Sequence, residues 1–245
     1  GPNQVSTILG LGIFIFFVQL MLNSSNGLLQ IINGGLVLVF AFRGLITFSR
    51  GGIYTGVAMI LLLLAILYFQ ANFQTKPKIA GIIVLSFLAT LAVWSYSSIK
   101  TNGLLDKRYA NQDAAGREKK SQLSGREILI ESELKMFYEN PILGVGVGKN
   151  KELRKSQTGI DLATHNEMTR MLAEHGTLGI VGLLILVITP LYLFLVDRQN
   201  ILALSFLAFW LLTINHAAMR LSAPAFIYAL SLLKVYREAP AIHRK

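Results

Sequence analysis

Two short stretches in the middle of the chain combine a chemically capable side chain with a helix start. Ser124-Gly125-Arg126-Glu127 and Thr164-His165-Asn166-Glu167 both fit the capping box, in which a Ser or Thr N-cap is answered by a Glu three residues later. With Ser124 and Thr164 as caps, Arg126 and His165 fall in the first turns of two helices. Free backbone N–H groups and the positive end of the helix dipole gather there. An arginine added to such an end makes an anion site, and phosphate is its usual occupant. A histidine there is disfavoured as imidazolium, and a neutral imidazole can act as a general base. A solvated surface arginine and a structural histidine satisfy the same pattern.

The elements that must hold these residues are legible around them. Ile130, Leu134 and Phe137 follow Arg126 at helical spacing, and Asn140-Pro141 ends that helix. Met168, Met171, Leu172 and His175 share a face after His165, and Gly176 suits a stop or a bend. Between the two helices lies Pro141-Ile142-Leu143-Gly144-Val145-Gly146-Val147-Gly148-Lys149. No Ser or Thr follows Lys149, so this is not a P-loop, and its glycines predict a tight turn. Lys149, Lys151, Arg154 and Lys155 form a basic run, read as a solvated face or as a means of steering an anionic lipid or sugar. Glu131 and Glu133 are two apart on a helix and face different ways, a poor acid/base pair. No Cys-x-x-Cys, His-Glu-x-x-His or Asp-x-Asp is present, so no metal ligand set is assigned.

Composition sets the frame for the whole chain. Of 245 residues, 53% are hydrophobic and 15% charged, with no cysteine. A soluble enzyme, a disordered chain and a disulfide scaffold are poor fits. The net charge of +10 is divided unevenly. Residues 100–175 hold 13 of the 23 basic and 11 of the 13 acidic residues, leaving +8 scattered among apolar runs. That distribution describes a lipid-embedded protein with one polar insertion and argues against a nucleic-acid partner. Seven hydrophobic segments are expected, at roughly 7–22, 28–47, 53–70, 79–99, 176–197, 201–217 and 223–236. The first and last are short, and the last is read as re-entrant or tilted.

The fold class expected is all-α, a multi-spanning transmembrane bundle. Spans fill 1–99 and 176–236, a helical extracytoplasmic loop fills 100–175, and 237–245 is a cytoplasmic tail. Lys76, Lys78, Arg198, Arg237, Arg244 and Lys245 fall on one side by alternation, which the positive-inside rule makes cytoplasmic. Arg50, His216 and Arg220 then sit in short outward turns against that rule, and such exceptions invite a functional explanation.

These residues together resemble the O-antigen ligases and related Wzy-type polymerases. His165-Asn166, nine residues, then Gly176-Thr177-Leu178-Gly179 is similar to the signature closing the large periplasmic loop of that family. Gly125-Arg126 through Asn140-Pro141-Ile142-Leu143-Gly144-Val145-Gly146 looks like the Arg helix and Gly turn of the same loop. Thr47-Phe48-Ser49-Arg50-Gly51-Gly52 resembles its Ser-Arg stretch. Gly1-Pro2-Asn3-Gln4 resembles an element found mid-chain in the family, so a longer natural chain is expected.

The resemblance implies a membrane glycosyltransferase of the C-type fold group in the bacterial cytoplasmic (inner) membrane. It would need neither metal nor nucleotide sugar, and no cofactor is expected. The donor implied is a glycan on undecaprenyl diphosphate, and the acceptor is a hydroxyl of a glycolipid or glycan outside the membrane. His165 is assigned as base or acceptor-orienting group. Arg50 and Arg126 are assigned to the diphosphate. Asn166, Arg43, Arg220 and Lys149 are secondary candidates, and Arg50 as an interfacial anchor is the bland alternative. A repeat-unit polymerase is the rival within the family. A transporter of an anionic substrate and a receptor with a sensing loop are the rivals outside it.

Overall fold

The computed structural model describes residues 1–118, 126–162, 164–216 and 221–235, and among these every regular element is a helix. The order is α1 (Pro2–Val18) with a π-helical extension (Gln19–Asn23), α2 (Gly27–Leu45), α3 (Arg50–Gln70) and α4 (Lys76–Lys100). The short α5 (Leu104–Tyr109), α6 (Glu127–Glu139) and α7 (Lys149–Thr158) follow. The chain then continues as α8 (Glu167–Val196), α9 (Ala203–His216) and α10 (Ala223–Ser231). Among the described residues, five helices are long and apolar enough to cross a bilayer: α1 with its extension, α2, α3, α4 and α8. The segments expected at 201–217 and 223–236 fold as shorter helices. α9 has 14 residues, about 21 Å at 1.5 Å per residue, and α10 has 9. α10 packs on α9 and is tied by Asn200 Nδ2, which donates to the carbonyls of Leu230 (3.2 Å) and Leu233 (3.0 Å).

The tightest contact in the bundle is between α1 and α3. Ser6 and Gly10 on α1 face Gly52 and Gly56 on α3, both pairs spaced four residues apart. A Cβ on Gly10 would collide with the Gly52 carbonyl oxygen, and one on Gly52 with the Ser6 carbonyl. A Cβ on Gly56 would lie 2.7 Å from the Gly10 carbonyl oxygen. Lipid offers no hydrophobic drive between helices, so close backbone approach of small residues is how spans hold together. Ser6 Oγ, fully buried, donates to the Ser49 carbonyl at 2.8 Å.

These matched pairs make α1 and α3 parallel. Gly12 against Phe40 and Gly44 against Leu9 make α2 antiparallel to α1. Ser205 Oγ donates to the Met59 carbonyl (2.8 Å), while His216 meets Gly51, so α9 runs antiparallel to α3. Leu11, Phe14, Phe17, Met59, Leu63 and Phe209 fill the core between them. One end of the bundle therefore gathers the start of α1, the turn before α3 and the end of α9. The outer faces of α4 and α8 expose large apolar side chains such as Leu85, Phe87, Ile185 and Leu195, suited to acyl chains.

The glycine run and the bend at Gly176 prove to be one device. Gly176 has φ +60° and ψ −138°, and it breaks α8 after its first nine residues. In an unbroken helix the carbonyls of Ala173 and Glu174 would receive the N–H groups of Thr177 and Leu178. Here they accept from Val145 N (2.9 Å) and Gly146 N (3.1 Å), while Thr177 N donates to the Pro141 carbonyl (2.8 Å). The backbones touch so closely that a Cβ on Gly176 would lie 2.6 Å from the Pro141 carbonyl oxygen. One on Gly144, itself at φ +68°, would lie 2.6 Å from the Ala173 carbonyl oxygen. The turn thus supplies the hydrogen bonds that the break removes.

The α1–α3 contact is directly testable. Gly52→Ala should lower the midpoint of thermal unfolding in detergent, at a cost of about 1–3 kcal/mol for overpacking. Gly81→Ala in α4, where a Cβ meets nothing within 4 Å, should leave the midpoint unchanged or slightly raised.

Candidate functional site

The turn joining α2 to α3 is built for a sharp reversal. Phe48 adopts φ +56°, uncommon for a bulky residue, and Thr47 Oγ1 bridges the Gly44 carbonyl (2.7 Å) and Ser49 N (3.2 Å). Ser49 is the N-cap of α3, yet its hydroxyl does not cap; it donates to Asn3 Oδ1 at 2.8 Å. The turn is thereby fastened to the first turn of α1, and Arg50 becomes the first residue of α3. Arg108, at the end of α5, donates Nε to the Phe48 carbonyl at 2.9 Å.

Beside this turn, Arg50 and Arg108 both act on the phenol of Tyr109. Burial and the nearby Tyr54 push its pKa up to about 12, against the pull of the two cations, so Tyr109 stays neutral at ordinary pH. Trp94 packs edge-on against Tyr109 at 4.7 Å and donates Nε1 to Asp106 at 2.9 Å. A cavity of ≈ 320 Å³ opens next to the turn, lined by Phe48, Lys107, Arg108, Gln112 and Asp113 among others. Sequence reasoning passed over Arg108, because a Lys-Arg pair in a polar loop carries no cap, glycine or periodic signal.

Arg126 arrives from the loop at the same place. Its guanidinium donates Nη1 to the His216 carbonyl at 3.2 Å. The His216 ring rests on Gly51, where a Cβ would lie 2.7 Å from Cγ of the imidazole. Nδ1 of His216 donates to the Leu212 carbonyl (2.7 Å), and Nε2 lies 3.2 Å from Thr7 Oγ1. Arg50 directly precedes Gly51. The backbone that carries Arg50 therefore lies against the His216 ring, while the Arg50 charge acts on Tyr109 and Arg126 holds the His216 carbonyl.

His165 comes to the same end of the bundle by another route. Asn215 Nδ2 donates to Met168 Sδ at 3.5 Å, and Met168 packs against Leu207, Trp210 and Ile214. The start of α8 is thus docked on the last turn of α9, next to His216. The half-buried His165 lies just before α8 rather than in its first turn. The cap is Asn166, whose Oδ1 accepts from Met168 N (2.9 Å) and Thr169 N (3.3 Å). The expected cap Thr164 instead accepts from Asn166 N at 3.3 Å, and its hydroxyl is within hydrogen-bonding reach of the Asn166 carbonyl (3.2 Å) and of the buried Glu133 carboxylate. His165 thus lies outside the first turn of α8, and Asn166 has a structural task as its cap.

Other expectations also change. α6 begins at Glu127 with Arg126 as N-cap, because the Arg126 carbonyl accepts from Leu129 N and Ile130 N, both at 3.1 Å. Ser124 and Gly125 lie outside the described residues, as does Arg220. The buried face of α6 is Leu129, Ser132, Glu133 and Met136, rotated from the expected Ile130, Leu134 and Phe137, which are half-buried. Glu131 is exposed and Glu133 buried, facing different ways as their spacing requires.

The basic run divides. Lys149 opens α7 and is exposed. Lys151 and Lys155 clasp Asp161 at 2.9 and 3.0 Å and hold its carboxyl below the usual range. Arg154 is fully buried against Glu133, so it belongs to no solvated face. Arg43, a secondary candidate in the last turn of α2, is exposed.

Docking of α8 on α9 can be measured in this cysteine-free chain. Met168→Cys with Asn215→Cys should be joined by a short thiol-reactive crosslinker and run as a compacted band on denaturing gels. Met168→Cys with Leu195→Cys, at the far end of α8, should not. Equal reaction of both pairs would contradict the docking.

Comparison with known proteins agrees with the pattern of residues. The family model described as O-Antigen ligase matches residues 34–187, more than half of the chain, from within α2 to beyond the Gly176 bend. The matched range contains Arg43, Arg50, Arg126, Lys149, His165 and Asn166. No curated protein and no solved structure matches the chain.

Proposed function

Because the chain belongs to the O-antigen ligase family, we propose that it transfers a glycan from an undecaprenyl-diphosphate-linked donor to an acceptor hydroxyl of a glycolipid. The reaction runs at the outer face of the bacterial cytoplasmic membrane. The observation that carries this reading is that Arg126 holds the carbonyl of His216, whose ring rests on Gly51 next to Arg50, beside the α9 turn on which the His165 end of α8 is docked. A lipid-linked diphosphate needs cations at headgroup depth, and arginine binds phosphate through paired N–H groups.

In the reaction the acceptor oxygen attacks the anomeric carbon. The new glycosidic bond forms as the bond to the diphosphate oxygen breaks. His165 accepts the hydroxyl proton, and Arg50 and Arg126 stabilise the charge that builds on the departing diphosphate. Gly51, lacking a Cβ, lets His216 sit between the two arginine-bearing elements. Asn166 caps the helix that follows His165, so the ring is held at a fixed helix end.

The bundle is read with its N-terminus, the 100–175 loop and the α9 end facing outward, because Lys76, Lys78 and Arg198 fall at the opposite end. A single cysteine introduced at Tyr138, which is 74% exposed, should react with a membrane-impermeant maleimide in intact spheroplasts. Reaction only after permeabilisation would reverse the orientation.

The catalytic assignment is tested by glycan transfer in vitro from undecaprenyl-diphosphate donor with the full-length protein. His165→Ala should lower kcat by roughly 10²–10⁴, the range for loss of a general base. Arg50→Ala and Arg126→Ala should each lower it by about 10²–10³. A chelator should leave the rate unchanged. Unaltered transfer by His165→Ala and Arg126→Ala would overturn the mechanism. In a deletion strain, fully polymerised lipid-linked glycan left unattached identifies the ligase reaction. Capping by single repeat units would instead identify a polymerase.

A further inference from the structure

The polar loop buries a carboxylate that this mechanism does not use. Glu133, in the middle of α6, has no accessible side-chain surface, and neither does its partner Arg154 of α7, 3.3 Å away. Removing both charges from water is costly, and buried pairs are weak devices for stability. This pair is also incompletely satisfied. Arg154 Nε and Nη1 meet no partner among the described residues. Burial pushes the Glu133 carboxyl up from its ordinary range, while its hydrogen bonds and Arg154 oppose that shift.

The remaining partners of Glu133 show where its hydrogen bonds are directed. Oε2 accepts from Thr169 Oγ1 at 2.5 Å, and Oε1 accepts from Asn150 Nδ2 at 3.2 Å. Thr164 is hydrogen-bonded to the same carboxylate. Thr164 and Thr169 stand on either side of His165, before and after the Asn166 cap. Glu133 itself lies seven residues after Arg126, about two helical turns along the same helix. One carboxylate therefore grips both flanks of His165 from the helix that Arg126 begins.

We propose that Glu133 is a positioning residue for His165. By gathering Thr164 and Thr169, with Arg154 and Asn150 of α7 behind it, it holds the imidazole at a set reach from the diphosphate bound by Arg126. Glu133 touches no reacting atom; it acts through the two threonines. The inference rests on the reading of His165 as base and Arg126 as diphosphate ligand.

Thr169→Val tests it, since it removes the hydroxyl while keeping the side chain's shape. In the transfer assay its kcat should fall about ten- to hundredfold, as for a misplaced catalytic group, with donor KM within about twofold. Thr169→Ser should restore kcat. Glu133→Gln should show the same split between kcat and KM where the protein retains its thermal midpoint. His165→Ala combined with Thr169→Val should be no slower than His165→Ala alone, because coupled residues are not additive. Wild-type kcat in Thr169→Val, a loss confined to KM, or an additive double variant would overturn the positioning role. Full activity in His165→Ala would overturn the base assignment itself. An inactive His165→Ala beside a normal Thr169→Val would overturn only the role of Glu133.

Discussion

Close approach of the α1 and α3 backbones is the constraint on which the site depends. Ser6, Gly10, Gly52 and Gly56 leave no room for further carbon atoms between the two helices. Their parallel packing brings Asn3 and Thr7 to the level of Ser49, Arg50 and Gly51. Ser49 then bonds Asn3 rather than its own helix, and Gly51 leaves the seat that His216 occupies. A wider α1–α3 spacing would separate Thr7 from His216 and Arg50 from the end of α9. The small residues thus carry functional weight although none has a reactive group.

Three of the contacts that attach the polar loop to this frame carry the site. Arg108 grips the carbonyl of Phe48, Arg126 grips the carbonyl of His216, and the glycine turn supplies hydrogen bonds to the broken α8. Two of the three are arginines bonded to backbone carbonyls. A guanidinium presents its N–H donors as a planar fork, the geometry that matches a phosphate. Glu133 joins α6, α7 and the start of α8 into one unit, so the loop docks as a body rather than as three separate helices.

The charge of the protein is sorted by these contacts. Arg154 is neutralised in the loop interior, and Lys151 and Lys155 are engaged by an exposed aspartate. Arg50, Arg108 and Arg126 lie at the end where α1, α3 and α9 meet. Cations at the headgroup end of an apolar bundle fit the proposed donor, whose head is anionic and whose tail is lipid.

The chain's membrane character, its apolar segments and its helical loop follow from hydrophobic run length and periodicity, which act locally and need no tertiary partner. Gly176 as a bend and the glycine run as a turn were legible for the same reason: only glycine takes those backbone conformations cheaply. Cap positions were not, because Thr164 fits a local capping rule but is claimed by a carboxylate 31 positions earlier in the chain. Nor could spacing reveal that Arg154, one of four cations in a row, turns inward, or that His216 receives Arg126 and rests on Gly51. Those outcomes depend on which distant backbones approach one another. In this bundle that is decided by the match of small residues across α1 and α3 and by the desolvation of one buried carboxylate, and no local pattern records either.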